Sequence, residues 1–250
     1  MKNYLKKVLS DPQIKFFRRF KNFMGFFLRN DLTKLAIIFG SDKWGNHNYT
    51  PHYEDHFKTY KRKKIKLLEI GVGGNESKIH GGASLRMWKS YFRKGYINGI
   101  DIHDKSALQE KRIKIFRGDQ SDRVFLNKLG NEAGPFDIII DDGSHINEHI
   151  IISFNTLFPY LNNGGIYVVE DLQTSYWDSY GGNSKNLNKP NTAMNFFKSL
   201  TDGINHTEYQ IDNYRPNYLD KHIISLHFYH NLVFIYKGNN LENSISKIKL

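Results

Sequence analysis

The chain has 250 residues, 39% apolar and 24% charged, enough for one large α/β domain with a real core plus an N-terminal extension. It contains no cysteine, which excludes disulfides, thiolate metal sites and a cysteine nucleophile, and fits a reducing compartment. The net charge is +11, but residues 1–30 hold eight Lys/Arg against Asp11 alone, so +7 sits in the extension and the other 220 residues carry +4. That distribution gives the core no electrostatic case for binding nucleic acid, and directs the extension towards something anionic.

The basic residues of the extension are Lys2, Lys6, Lys7, Lys15, Arg18, Arg19, Lys21 and Arg29. Its longest apolar run, Phe23 to Leu28, is six residues with Gly25 inside, too short for a secretory core or a membrane span. Phe16, Phe17, Phe20, Phe23, Phe26 and Phe27 recur among these cations at roughly helical spacing. A basic, phenylalanine-rich helix has two readings. The plainer is packing on the domain or on a second subunit; the other is peripheral contact with an anionic bilayer.

After a helix over 32–39 comes a polar, aromatic stretch, Gly40 to Glu54, and Lys61-Arg62-Lys63-Lys64 reads as a solvated loop. Strands and helices then alternate. Strands are expected over 66–72, 96–102, 112–117, 136–141 and 166–169, with helices over 82–93, after Asp122, and over 147–161 with Asn163-Gly164-Gly165 as its stop. This spacing implies right-handed βαβ crossovers and a parallel sheet. The polar loop with Thr174, Ser175, Tyr176, Trp177, Gly181 and Gly182 is expected to form a substrate lid before a helix near 191–201. Residues 223–230 and 232–237, with Asn231 between them, read as a tight hairpin whose last strand runs antiparallel.

Two strand ends 28 residues apart carry most of the chemistry. Ile138-Ile139-Ile140 runs into Asp141-Asp142-Gly143-Ser144-His145, and Ile166-Tyr167-Val168-Val169 into Glu170-Asp171. Open α/β sheets bind ligands at the carboxyl ends of their strands. If the strands are neighbours, Asp142, Glu170 and Asp171 converge beside His145. Three carboxylates suit Mg²⁺ or another divalent cation, and the histidine suits a general base. Lone strand-end acids often cap helices or pair with Lys/Arg, but clustered carboxylates without a cation repel one another. His149 lies one helical turn after His145 and reads as structural. His227 and His230 fall on opposite faces of a strand and are not read as a metal pair.

The turn Glu69-Ile70-Gly71-Val72-Gly73-Gly74 lets backbone approach a ligand, although Glu76 stands where a dinucleotide fingerprint wants its third glycine. Asp101 ends the second strand, where an acid can accept from ribose hydroxyls. Asp119 and Gln120 follow the third strand.

Taken together, these motifs resemble class I S-adenosylmethionine-dependent methyltransferases. Leu67 to Gly74, Gly81 to Trp88, Gly99 to Ile102, Gly118 to Asp122, Asp141 to His145 and Val168 to Trp177 are similar to the metal-dependent macrolide-sugar O-methyltransferases of the mycinamicin and tylosin type, from about residue 40 to about 238. The resemblance implies a doubly wound, mostly parallel seven-stranded sheet with an antiparallel C-terminal hairpin strand. Residues 1–40 would be a helical extension and 41–250 the methyltransferase domain. It implies S-adenosylmethionine over the glycine turn. Glu69, Gly71, Gly73 and Ser84 would lie at its methionine end, Asp101 at the ribose, Asp119 and Gln120 at the adenine, and Tyr49 and Thr50 in the donor or acceptor pocket. Asp142, Glu170 and Asp171 would hold Mg²⁺, and His145 would take the proton from a sugar hydroxyl of a glycan or small-molecule acceptor. The expected compartment is the cytoplasm, with the inner membrane face if the extension binds lipid. Members of that family carry a sizeable N-terminal auxiliary domain where about 40 basic, aromatic residues stand here, which leaves a homo-oligomer open. Two other readings are a nucleotide-dependent oxidoreductase on a similar sheet and a non-catalytic, membrane-recruited module. The missing third glycine and the terminal hairpin weigh against the first, and the complete acid and histidine set against the second.

Overall fold

Five parallel strands, β1 (Lys66–Ile70), β2 (Tyr96–Asp101), β3 (Ile113–Arg117), β4 (Phe136–Asp141) and β5 (Leu161–Val169), share one sheet with the hairpin β6 (Ile223–Tyr229) and β7 (Leu232–Lys237). The sheet has seven strands in the order β3-β2-β1-β4-β5-β7-β6, and β7 runs antiparallel to both neighbours. These features come from a computed structural model, which describes residues 11–244; Lys2, Lys6 and Lys7 lie outside the described residues. The order reverses between β1 and β4, and their register pairs Ile70 with Asp141, which in turn pairs with Val169 on β5. The chain therefore leaves the sheet at Gly71, Asp142 and Glu170 on one edge, side by side.

Two apolar layers cover the sheet. On one face lie α1 (Asp11–Leu28), α2 (Leu32–Phe39), α3 (Thr50–Phe57) and α4 (Ala83–Tyr91), and Leu35, Phe39, Tyr53, Phe57 and Trp88 are buried in that layer. On the other lie α5 (Arg123–Ala133), α6 (Asn147–Leu157) and α7 (Ala193–Ile204), with Leu126, Phe154, Leu157 and Phe197 in its core; α8 (Tyr218–His222) precedes the hairpin. The helix ends obey local chemistry. Asp31 caps α2 by accepting from the Lys34 amide at 2.9 Å, and Gly40, at φ 76°, closes it in the left-handed region. Asp122 caps α5 in the same manner as Asp31.

Several boundaries differ from the sequence expectation. β1 stops at Ile70 rather than Val72, because Gly71, at φ 91°, turns out of the sheet and donates its amide to the Ile100 carbonyl at 2.9 Å. The helix from Asn147 ends at Leu157; Phe158–Tyr160 tightens into a 3₁₀ turn holding Pro159, and the Asn-Gly-Gly expected as a stop lies within β5. α3 begins inside the polar, aromatic stretch for which no element was expected. His145 precedes α6 with φ 57°, so it does not share a helical face with His149.

Helix α1 lies on α2 and α4 rather than standing free. Asn22 Nδ2 donates to Glu110 Oε2 at 3.3 Å, Arg18 donates to the Ile79 carbonyl, and Gly25 sits against Phe39 and Ser90. Its six phenylalanines are each between 48% and 66% exposed, and Phe17 also reaches the cavity described below. Among the described residues no helix is long and apolar enough to cross a membrane.

Candidate active site

A cavity of about 980 Å³ opens along the sheet edge where β1, β2, β3 and β4 end. Its floor is the glycine turn. A Cβ on Gly71 would lie 2.1 Å from the Asp142 carbonyl oxygen, so only glycine lets β1 and β4 close up here. Gly73, at φ 71°, meets nothing within 4 Å, which leaves its backbone open to a ligand. Asp101 lines the cavity. Its carboxylate accepts from the Val72 amide at 3.1 Å and the His103 amide at 2.9 Å, which ties the turn to β2. Asp119 also lines it, held by Ser121, whose amide and hydroxyl both donate at 2.8 Å and hold the carboxyl below its ordinary value. Gln120 works mainly as a strut: its amide nitrogen donates to Asp141 at 3.2 Å, and its oxygen accepts from the Ser144 amide at 2.6 Å.

At the opposite wall the two acidic strand ends meet. Ligand atoms of Asp142, His145 and Asp171 all lie within 4.8 Å of one another. His145 Nε2 stands 3.7 Å from Asp171 Oδ2. The other Asp171 oxygen accepts from the Tyr49 hydroxyl at 2.8 Å and faces His47 Nδ1 at 3.6 Å, and the His47 ring stacks on Tyr49. His145 and Asp171 both adopt left-handed backbone, at φ 57° and 56°. Such strain costs on the order of 1–3 kcal/mol for a non-glycine residue and gathers at functional sites. The burial of Tyr49 and the negative charge of Asp171 push its phenol well above the ordinary tyrosine range, so Tyr49 stays a donor.

Glu170 is held apart from that trio. Both of its bonds, from the Lys43 ammonium and the Tyr53 hydroxyl, fall on Oε1. Lys43 is fully buried, 2.8 Å from Asp142 Oδ2 and 3.2 Å from Glu69 Oε1, so one ammonium serves three carboxylates. Burial alone would lower Lys43, but Asp142, Glu170 and Glu69 outweigh it and keep it charged. The acids respond in turn: burial pushes Glu69 up to about 7, and Glu170 and Asp142 above their ordinary values. The cluster thus holds an excess of negative charge that a proton, or a metal, must offset.

The remaining expected residues are placed unevenly. Ser84 lines the cavity and donates to Glu69 at 2.9 Å, while Glu69 is buried behind it. Thr50 does not line the cavity; it opens α3 and bonds Thr33 on α2 at 2.7 Å. The loop expected as a lid is fastened at its base. Buried Asn147 donates to the carbonyls of Thr174 at 3.2 Å and Tyr180 at 2.8 Å, which leaves Trp177 49% exposed beside Tyr180. Lys43 and His47 were not singled out from sequence. No local period marks either; the signals were their place in the polar stretch before Tyr49 and the resemblance, which puts residues 41–57 in the donor or acceptor pocket.

A glycine turn, an acid ending β2, and acids at the switch between β1 and β4 define the class I methyltransferase architecture. No family model matches the sequence. The demethylmacrocin O-methyltransferase of Streptomyces fradiae is 48% identical over 217 residues, 86% of this chain and 55% of that protein. The 8-demethyl-8-alpha-L-rhamnosyl tetracenomycin-C 2'-O-methyltransferase of Streptomyces olivaceus is 47% identical over 220 residues, 87% of this chain and 58% of that protein. Among solved structures, MycE from the mycinamycin pathway, in complex with Mg, SAH and mycinamycin VI, superposes with a TM-score of 0.84 at 46% identity, covering 87% of this chain and 56% of its own. This chain belongs to that family of sugar O-methyltransferases. It spans between 55% and 58% of the length of these relatives.

Proposed function

We propose that the protein transfers a methyl group from S-adenosylmethionine to a sugar hydroxyl of a glycosylated metabolite or glycan, with a divalent cation, Mg²⁺ in the first instance, at the acceptor. The observation that carries this reading is the Asp142–His145–Asp171 trio on the wall of the cavity that the glycine turn and Asp101 also line. The residues fit the cation: hard oxygen donors converge, and the buried acids exceed the one ammonium beside them. Asp142 and Asp171 would hold it, with Glu170 as the third carboxylate through the oxygen that Lys43 and Tyr53 leave unused.

When bound, the donor would supply an already activated methyl group, and the cation would offset negative charge developing at the acceptor oxygen. The chain's own residues do the rest. His145 takes the hydroxyl proton, with the Asp171 carboxylate 3.7 Å from its Nε2 favouring the protonated ring that results. Asp101 fixes the ribose and, through Val72, the glycine turn, so that donor and acceptor are held in line. Tyr49 keeps Asp171 in place by donating to it.

Calorimetric titration of S-adenosylmethionine, with NAD in parallel, tests the donor assignment. Binding that disappears in Asp101→Ala supports it, and binding of NAD instead would return the oxidoreductase reading. Methylation of sugar acceptors that survives EDTA undiminished would end the metal assignment. For the outward phenylalanine face of α1, the occupant is an anionic bilayer surface. Arg19 is exposed among the rings and Arg29 lies over Phe26 at 4.2 Å, so apolar and cationic groups share the face. Full-length protein should sediment with phosphatidylglycerol vesicles and Phe20→Ser/Phe23→Ser should not. Equal recovery in the supernatant, or a lipid-free dimer broken by the same changes, would overturn it.

A further inference from the structure

Phe17, Arg18 and Lys21 of helix α1 line the donor cavity. Arg18 donates to the Ile79 carbonyl in the glycine loop, and Lys21 Nζ to the Phe39 carbonyl at 3.4 Å, so both side chains bridge from the helix to the cavity rim. The Lys and Arg residues among the described lining are these two and Arg86, which is buried and donates to the Gly81 carbonyl at 2.7 Å. Burial, and then the charge of Arg18, push Arg86 down to about 10. Asp42 lines the same cavity. A wall that presents cations and an acid together matches an amino-acid zwitterion. S-adenosylmethionine carries one, and its carboxylate is its sole anionic group.

We propose that Arg18 and Lys21 of the N-terminal helix form the binding site for the donor's α-carboxylate, with Asp42 facing its ammonium, so that α1 is a functional wall of the donor pocket. This rests on the donor assignment above. It makes residues 18–21 determinants of donor affinity and separates them from the acid trio, which serves the acceptor.

Two ligands that differ at the amino-acid end test it by calorimetry on the full chain: S-adenosylhomocysteine, and 5′-methylthioadenosine, which lacks that end. Arg18→Gln/Lys21→Gln should weaken S-adenosylhomocysteine by about 10–100-fold, the loss expected for charge-assisted bonds, and leave methylthioadenosine within about threefold. Arg18→Lys/Lys21→Arg, which keeps both charges, should restore most of the affinity and guards against a folding artefact. Equal weakening for both ligands, or none for either, would overturn the proposal. Failure of the unaltered chain to bind either ligand would instead remove the donor assignment on which it stands.

Discussion

Exchanging Lys43 for methionine removes the one ammonium that Glu69, Asp142 and Glu170 share, while keeping a side chain of similar length in the core. At the separations of 2.8 and 3.2 Å to Asp142 and Glu69, each pair is worth about 5 kcal/mol of direct attraction at an effective dielectric of 20. Desolvation of the ammonium offsets much of that. The net cost of stranding buried partners is about 3–5 kcal/mol, which corresponds to a fall in Tm of about 6–20 °C for a domain of this size. The sign of the pH dependence follows from the acids. Without Lys43 their folded pKa values rise further above the unfolded ones, so the folded state binds more protons. The variant's deficit should therefore shrink as pH falls from about 8 to about 5. Urea unfolding of both proteins across that range, without and with millimolar Mg²⁺, gives the measurement; Mg²⁺ should recover part of the loss. A deficit below about 1 kcal/mol, or one indifferent to pH, would refute the claim that Lys43 neutralises the cluster.

His145→Gln should lower kcat for sugar methylation by about 10²–10⁴-fold, the range for a lost general base, while donor affinity by calorimetry stays unchanged. Gly71→Ala places a Cβ 2.1 Å from the Asp142 carbonyl at φ 91°; we expect more than about 1 kcal/mol of destabilisation by thermal unfolding and weakened S-adenosylhomocysteine binding. His56 bonds Tyr236 at 2.7 Å and Tyr229 at 2.9 Å, and burial, then neighbouring His227, push it down to about 4. The unfolded chain binds more protons between about pH 6.5 and 4, so stability present above that window falls as the solution is acidified through it. The term is about 1–2 kcal/mol after allowance for the half-exposed ring, and His56→Gln should flatten that part of the pH–stability curve.

The parallel strands and the terminal hairpin could be read in advance because each is a short apolar run with its own punctuation. Asp142, Asp171 and His145 were legible for the same reason: a strand that ends in acids must release them at the sheet edge. Lys43 was not, since its partners Asp142 and Glu170 lie 99 and 127 residues away and nothing in Gly40 to Glu54 carries a period. Helix α3 was missed although Pro51 in its first turn and the Tyr53/Phe57 spacing were both on view; its apolar face is only those aromatics wide. Thr50 was expected in the pocket from the family resemblance alone, and the start of α3 turned it towards Thr33. The participation of α1 in the cavity wall was invisible, because a helix is placed on a domain by packing rather than by pattern.

The left-handed backbone at His145 and Asp171 has an evolutionary corollary. Asparagine accepts that conformation about as readily as aspartate does, so one nucleotide change at codon 171 could yield a chain that folds as before and has lost a carboxylate at the trio. On the proposed function, such a chain would keep its fold and its donor cavity while giving up the acceptor chemistry, so that residues 145 and 171 would report on activity where overall similarity does not.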